Sequence, residues 1–218
     1  MSGLDVECQF RVRAIGEVFA GTQGDDQQAV INPRGDIAWA NALPFRTEET
    51  RMRRSFKVIT VTAVAPVVAI PTVTSQLSLW NGEQDNGKIY VITKIGAYCV
   101  VSAGAATGIQ MVHLINVSKV AAPTSAGLTM RGTAGQVYNG SAINALAVTV
   151  VDDGWFPAGN SVVGAASQIG LAVEADIAGG IIVPPGYRYS TAVVANTVTT
   201  ITVRQYIEWM EVILPLGT

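Results

Sequence analysis

Alternation of apolar and polar residues dominates the chain from Phe56 to its end. Phe56, Val58, Thr60 and Thr62 fall on one side of an extended segment, with Lys57, Ile59 and Val61 on the other. The pattern is longest over residues 199–213, where Ile201, Val203, Ile207 and Trp209 oppose Thr202, Arg204, Tyr206, Glu208 and Met210. A period of two is the signature of a strand, and long alternation means one dry face and one more polar face. Further strands are expected over residues 76–80, 88–101, 109–117, 145–151, 167–174 and 187–195. Turn chemistry separates them: Asn81-Gly82, Asp85-Asn86-Gly87, Asp153-Gly154, Ala158-Gly159-Asn160, Gly179-Gly180 and Pro184-Pro185-Gly186. Residues 103–107 and 121–127, rich in alanine and other small residues, read as loops. About eight strands punctuated in this way predict an all-β fold, an antiparallel two-sheet sandwich of jelly-roll type. Open sheet edges would template further pairing, so closure or pairing between subunits is expected.

Ahead of Ser55 the pattern changes. Val6, Cys8, Phe10 and Val12 alternate with polar neighbours as one half-buried strand, and residues 21–28 are polar and turn-like. Residues 31–40 read as a hairpin turning at Asn32-Pro33-Arg34-Gly35-Asp36. Thr47 is placed to cap a short helix through Arg54, with Glu48 and Glu49 favourable in its first turn. These pieces hold few core residues, so residues 1–54 are expected to be an extended arm that anchors on something else, and residues 55–218 the sandwich domain. Charge supports the boundary. Residues 1–54 carry 7 of the 14 lysines and arginines and 8 of the 16 acids, so the other 164 residues share only the remaining 15 charges.

That scarcity shapes the expected partners. The chain is 49% hydrophobic but only 14% charged, against roughly a quarter charged in an ordinary globular protein. A surface so poor in ions tends to be covered by neighbours, which points to a homo-oligomer. A net charge of −2 gives no general attraction to nucleic acid. The most apolar stretch, residues 58–70, is interrupted by Thr60, Thr62 and Pro66 and is shorter than the roughly 20 residues that span a bilayer. No secretory pattern opens the chain, and a soluble protein without membrane contact is expected. Cys8 and Cys99 lie in apolar alternating stretches and read as buried thiols; a bridge between them stays open, but no disulfide framework is indicated.

Candidates for chemistry are few. The one histidine, His113, shares a strand face with Met111 and Ile115 and reads as a core or interface residue. No nucleophile elbow or zinc-ligand spacing is present. Asp152-Asp153 before Gly154 lacks the oxygen ligand series that calcium needs and reads as a turn. Glu208 and Glu211 fall on opposite strand faces, which argues against an acid/base pair. No catalytic residue, metal or cofactor is expected, and the chain reads as a non-enzyme. Arg34-Gly35-Asp36 is explained by the hairpin turn. Trp155 and Phe156, just after a turn, are the candidates for a ligand or partner contact.

Three sets of strings, taken in order, resemble phage particle proteins. Asn32-Pro33-Arg34-Gly35-Asp36-Ile37-Ala38-Trp39-Ala40 with Ala42-Leu43-Pro44-Phe45 is similar to a polar arm whose Gly-turned hairpin leads into a sandwich. Leu79-Trp80-Asn81-Gly82 and Gly87-Lys88-Ile89-Tyr90-Val91-Ile92-Thr93-Lys94-Ile95-Gly96 resemble the strand-turn-strand that opens such sandwiches. Val183-Pro184-Pro185-Gly186, Ala195-Asn196-Thr197 and Ile207-Glu208-Trp209-Met210-Glu211-Val212 are similar to their closing segment. The resemblance spans about half the chain and leaves residues 105–180 unmatched. It implies a structural component of a bacteriophage virion, such as a capsid decoration protein, a neck or tail component or a fibre-like head group, often trimeric. Arg34, Trp39, Leu43 and Phe45, with the basic cluster Arg51, Arg53 and Arg54, would then contact capsid, portal or tail partners. Two rivals are a carbohydrate-binding adhesin, expected to expose Trp155, and a β-sandwich hydrolase, expected to bring two carboxylates into one groove.

Overall fold

A computed structural model describes residues 29–31, 37–39, 50, 53–71, 74–85, 87–101, 106–150, 154–163, 170–197 and 200–213. The chain divides into two compact units, Met1–Glu48 and Glu49–Thr218. In the first, strand β1 (Ala29–Ile31) pairs antiparallel with β2 (Ile37–Trp39), so that Ala29 faces Trp39 and Ile31 faces Ile37. This is the hairpin expected from Asn32-Pro33-Arg34-Gly35-Asp36; the turn itself, the strand expected near Val6 and most of the helix expected from Thr47 lie outside the described residues.

The second unit is a sandwich of two five-stranded antiparallel sheets. Its strands are β3 (Ser55–Ile59), β4 (Leu77–Asn81), β5 (Lys88–Val101), β6 (Thr107–Ile115), β7 (Met130–Gly132), β8 (Ala142–Ala145), β9 (Phe156–Val163), β10 (Gly170–Val183), β11 (Arg188–Ala195) and β12 (Thr202–Ile213). The first sheet has the order β10-β5-β12-β3-β7 and the second β8-β4-β11-β6-β9. Without β7 and β8, both supplied by the excursion between β6 and β9, eight strands remain. Every connection among them crosses between sheets except β6 to β9, which stay side by side. Two four-stranded sheets wound in this way are the jelly roll, as the sequence pattern predicts.

The alternation read along β12 sets its faces. Val203, Ile207 and Trp209 enter the core, while Arg204, Tyr206 and Glu208 point away from it. An extra residue at Thr93 shifts the register between β5 and β12, so Glu208 faces Lys94 while Trp209 faces Ile92. Trp209 is fully buried among Phe56, Tyr90 and Tyr138, with ring centroids 5.9, 6.4 and 5.8 Å away. Tyr138 comes from the β6–β9 excursion and plugs this end of the sandwich. Its hydroxyl donates to Glu211 Oε1 at 2.7 Å and accepts from the Ala142 N–H at 2.8 Å. Lys88 Nζ donates to the other Glu211 oxygen at 2.8 Å. Burial pushes the Tyr138 hydroxyl far above the ordinary phenol range, which keeps its proton available for the carboxylate.

At the other end a neutral network joins the sheets. Thr191 Oγ1 donates to Gln205 Oε1 at 3.0 Å, Gln205 Nε2 donates to Gln76 Oε1, and the Val193 N–H reaches the same Gln76 oxygen at 2.7 Å. Thr60 Oγ1 accepts the Gln205 N–H at 3.0 Å. Buried amides and hydroxyls are tolerated because they satisfy one another.

The middle of the second sheet is covered on both faces. Ser78, Leu114, Ser190 and Ala192 lie opposite the core and are nonetheless buried. Residues 146–150 lie over this face, tied down by an Arg188 Nη2 bond to the Thr149 carbonyl at 2.8 Å and by Ser75 N–H to Val148 O at 3.0 Å. A strand buried on both faces loses its alternation, which is why Ser190–Ala195 reads as a run of small and branched residues. Pro184 to Tyr187 is a type II turn: the Tyr187 N–H meets the Pro184 carbonyl at 3.1 Å, with Gly186 at φ 80° in the third position.

Several boundaries differ from the sequence reading. Gly179-Gly180 does not end a strand but lies in an irregularity within β10, which runs on to Val183. Residues 156–163 and 130–132 are strands that the pattern did not predict. The strand expected over 145–151 is instead β8, ending at Ala145, followed by the covering segment.

Candidate interaction surfaces

The expected arm contacts fall mostly outside the described residues: this holds for Arg34, Leu43, Phe45 and Arg51. Trp39 closes β2. Arg53 is exposed, and its φ of 58° ends the turn that includes Thr50, whose carbonyl accepts the Arg53 N–H at 3.0 Å. Left-handed backbone is costly for a residue with a side chain but is a common way to end a helical turn. Arg54 is half-buried, and its carbonyl accepts the Glu211 N–H at 2.9 Å. The Arg53–Arg54 segment is thus stitched to the end of β12.

Trp155 is half-buried, whereas Phe156, the first residue of edge strand β9, is 60% exposed. The Phe156 ring sits 6.1 Å from His113, which stacks 5.7 Å from the buried Tyr189. His113 therefore packs among aromatic rings on the core side of β6, on the same face as Met111, as its strand parity predicts. Burial lowers its pKa and favours neutral imidazole. Cys99 is a buried free thiol whose pKa is raised by desolvation, a structural rather than a reactive cysteine.

Carboxylates are spread over the sandwich. Glu208 lies on the outer face of the first sheet, and Glu211 turns inward to Tyr138 and Lys88. Among the described residues no group of three potential metal ligands converges, and no helix is long and apolar enough to cross a membrane.

Charge is concentrated on one face. Lys57, Lys94, Arg131, Glu174, Asp176, Arg204 and Glu208, seven of the fifteen charges in residues 55–218, lie on the outer side of the first sheet. Glu174 is held by Lys94 Nζ at 2.8 Å and by the Tyr206 hydroxyl, and these bonds keep its carboxyl below its ordinary pKa. The Tyr206 ring lies over Gly96, where any Cβ would collide with it. A groove of about 390 Å³ opens there, lined by Lys57, Ile59, Tyr98, Arg131, Tyr206 and Glu208. Elsewhere, Val61, Val68, Ile70, Val117 and Val162 are exposed. A second groove, lined by Gln110, Asn160 and Asn196 with Val68 and Val162, holds no charge.

No protein-family model matches the chain, and no curated protein matches it. Among solved structures, a chain from a structure of a marine algae virus of the order Picornavirales is similar, with 11% identity over 90% of this chain and 94% of that chain, at a TM-score of 0.27. The fold assignment rests on the strand order of the chain itself: an eight-stranded jelly roll with two added edge strands.

Proposed function

We propose that this chain is a non-catalytic structural component of a bacteriophage virion, a capsid decoration, neck or tail protein that assembles as a homotrimer and docks through residues 1–54. One observation carries the reading: a jelly roll, the architecture shared by many viral capsid domains, with few charges, seven of the fifteen in residues 55–218 gathered on one sheet face, and branched aliphatic side chains exposed elsewhere. Packing those side chains against neighbours supplies roughly 25 cal/mol per Å² of apolar area removed from water. The ordered segments that resemble phage particle proteins supply the virion context. A glycan-binding module is the second reading, favoured by the uncharged amide groove of Gln110, Asn160 and Asn196 and by the exposed ring of Phe156.

Sedimentation velocity of the purified full-length chain tests the proposal. A discrete oligomer whose population grows with protein concentration is expected. A single monomeric species throughout the accessible concentration range would remove the basis for assembly.

A further inference from the structure

Register aligns five of the scarce charges into one row. Asp176 on β10 stands opposite Lys94 on β5, Lys94 opposite Glu208 on β12, Glu208 opposite Lys57 on β3, and Lys57 opposite Arg131 on β7. The row crosses the whole outer face of the first sheet. Directly opposed unlike charges stabilise an antiparallel pair, and like charges destabilise it. Here the signs alternate over four strands and then fail, because the row ends on two adjacent cations.

Both cations at that end, Lys57 and Arg131, are exposed, and neither has an ion-pair partner among the described residues. Past β7 residues 136–138 turn back along the edge, with the Gly132 N–H bonded to the Gln136 carbonyl and the Tyr138 N–H to the Met130 carbonyl, and Val137, opposite Arg131, is 69% exposed. The opposite margin is the complement. Edge strand β10 presents the exposed acids Glu174 and Asp176, together with an exposed Ile182. One margin thus lacks an anion that the other carries, and each bears an exposed branched side chain able to exclude water from the contact.

We infer that copies of this chain associate head to tail through these margins, with Asp176 of one copy beside Arg131 and Lys57 of the next, so that the alternation of charge continues from sheet to sheet. The inference rests on the assembly reading above and names its contact. Because two different patches meet, the contact is heterologous and generates a ring when the rotation closes. The groove floored by Ile59, Tyr98 and Tyr206 gives the incoming margin an apolar seat beside the cations. A polyanion fits less well, since Glu208 and Glu174 lie in or next to the same row and would repel it.

Charge reversal tests the contact in the full-length chain. By sedimentation, R131E and D176K are each expected to weaken association about tenfold or more, and the double variant R131E/D176K to recover most of the loss, because close charge pairs across interfaces couple strongly. D176K also faces Lys94 within its own chain, so D176N serves as the milder variant, and circular dichroism confirms that each variant stays folded. Unchanged association in R131E and D176N would overturn the contact while leaving assembly intact. Folded single variants that dissociate without recovery in the double variant would equally overturn the pairing. A wild-type chain that never associates would remove the assembly reading and the contact with it.

Discussion

Replacing Trp209 with alanine is expected to destabilise the sandwich by about 3–5 kcal/mol, the range for truncating a large buried aromatic. Trp209 is 0% exposed and touches rings from three directions: Phe56 on the neighbouring strand β3, Tyr90 on β5, and Tyr138 from the β6–β9 excursion. No one of these can collapse into the space without leaving another unsupported, so the cavity persists. Trp209→Phe is expected to cost less than half as much. It keeps most of the packing and removes an indole N–H that is buried without a hydrogen-bond partner. Urea denaturation followed by circular dichroism measures both. A Trp209→Ala midpoint close to wild type would show that this end of the core is not held by the aromatic cluster.

Glu211→Ala is expected to cost roughly 2–3 kcal/mol, the scale for hydrogen bonds to a buried charged group. The carboxylate is almost completely enclosed and takes one bond from Lys88 and one from Tyr138. Lys88, with its side chain 39% exposed, can turn to water when its partner is lost. Tyr138 has less freedom: its hydroxyl still accepts from the Ala142 N–H and exchanges a carboxylate acceptor for the longer 3.3 Å contact with the Tyr90 hydroxyl. The damage is therefore expected in the excursion, read as a fall in the urea midpoint together with faster hydrogen exchange at the Ala142 amide. Unaltered exchange there would show that Glu211 does not hold the plug.

The legible parts of this fold are those where one physical signal acts alone. β12 has a core on one side and a mostly polar surface on the other, so its alternation places Val203, Ile207 and Trp209 inward correctly, but it names neither Gln205 nor Glu211, which also point inward, and puts the buried Met210 on the polar face. β5 is recovered with its observed limits, since its length and branched residues leave no competing reading. β9 was not legible, because Pro157, Gly159 and Asn160 are turn formers. They become a strand only by pairing with β6, at a sheet edge where proline is tolerated. Gly179-Gly180 misled for the same reason: a glycine pair marks a turn locally and a strand irregularity once β5 lies alongside.

Of the candidate surface, strand parity shows that Lys57 and Glu208 face away from the core but not that they are neighbours. The row from Asp176 to Arg131 depends on register among five strands drawn from positions far apart in the chain. Sequence conveys the scarcity of charge; only the folded sheet conveys its alignment. Trp155 and Phe156 are paired by sequence, yet in the fold Trp155, just ahead of β9, is half-buried and Phe156, its first residue, is the exposed ring.

The proposed place of this chain in a virus particle is tested most directly by cryo-electron microscopy of particles purified from the cells that express it. The account predicts repeated copies of the jelly roll in a symmetric array, the β10 margin of each against the β7 margin of the next and residues 1–54 seated on an underlying particle protein. Purified particles that lack the chain would contradict it.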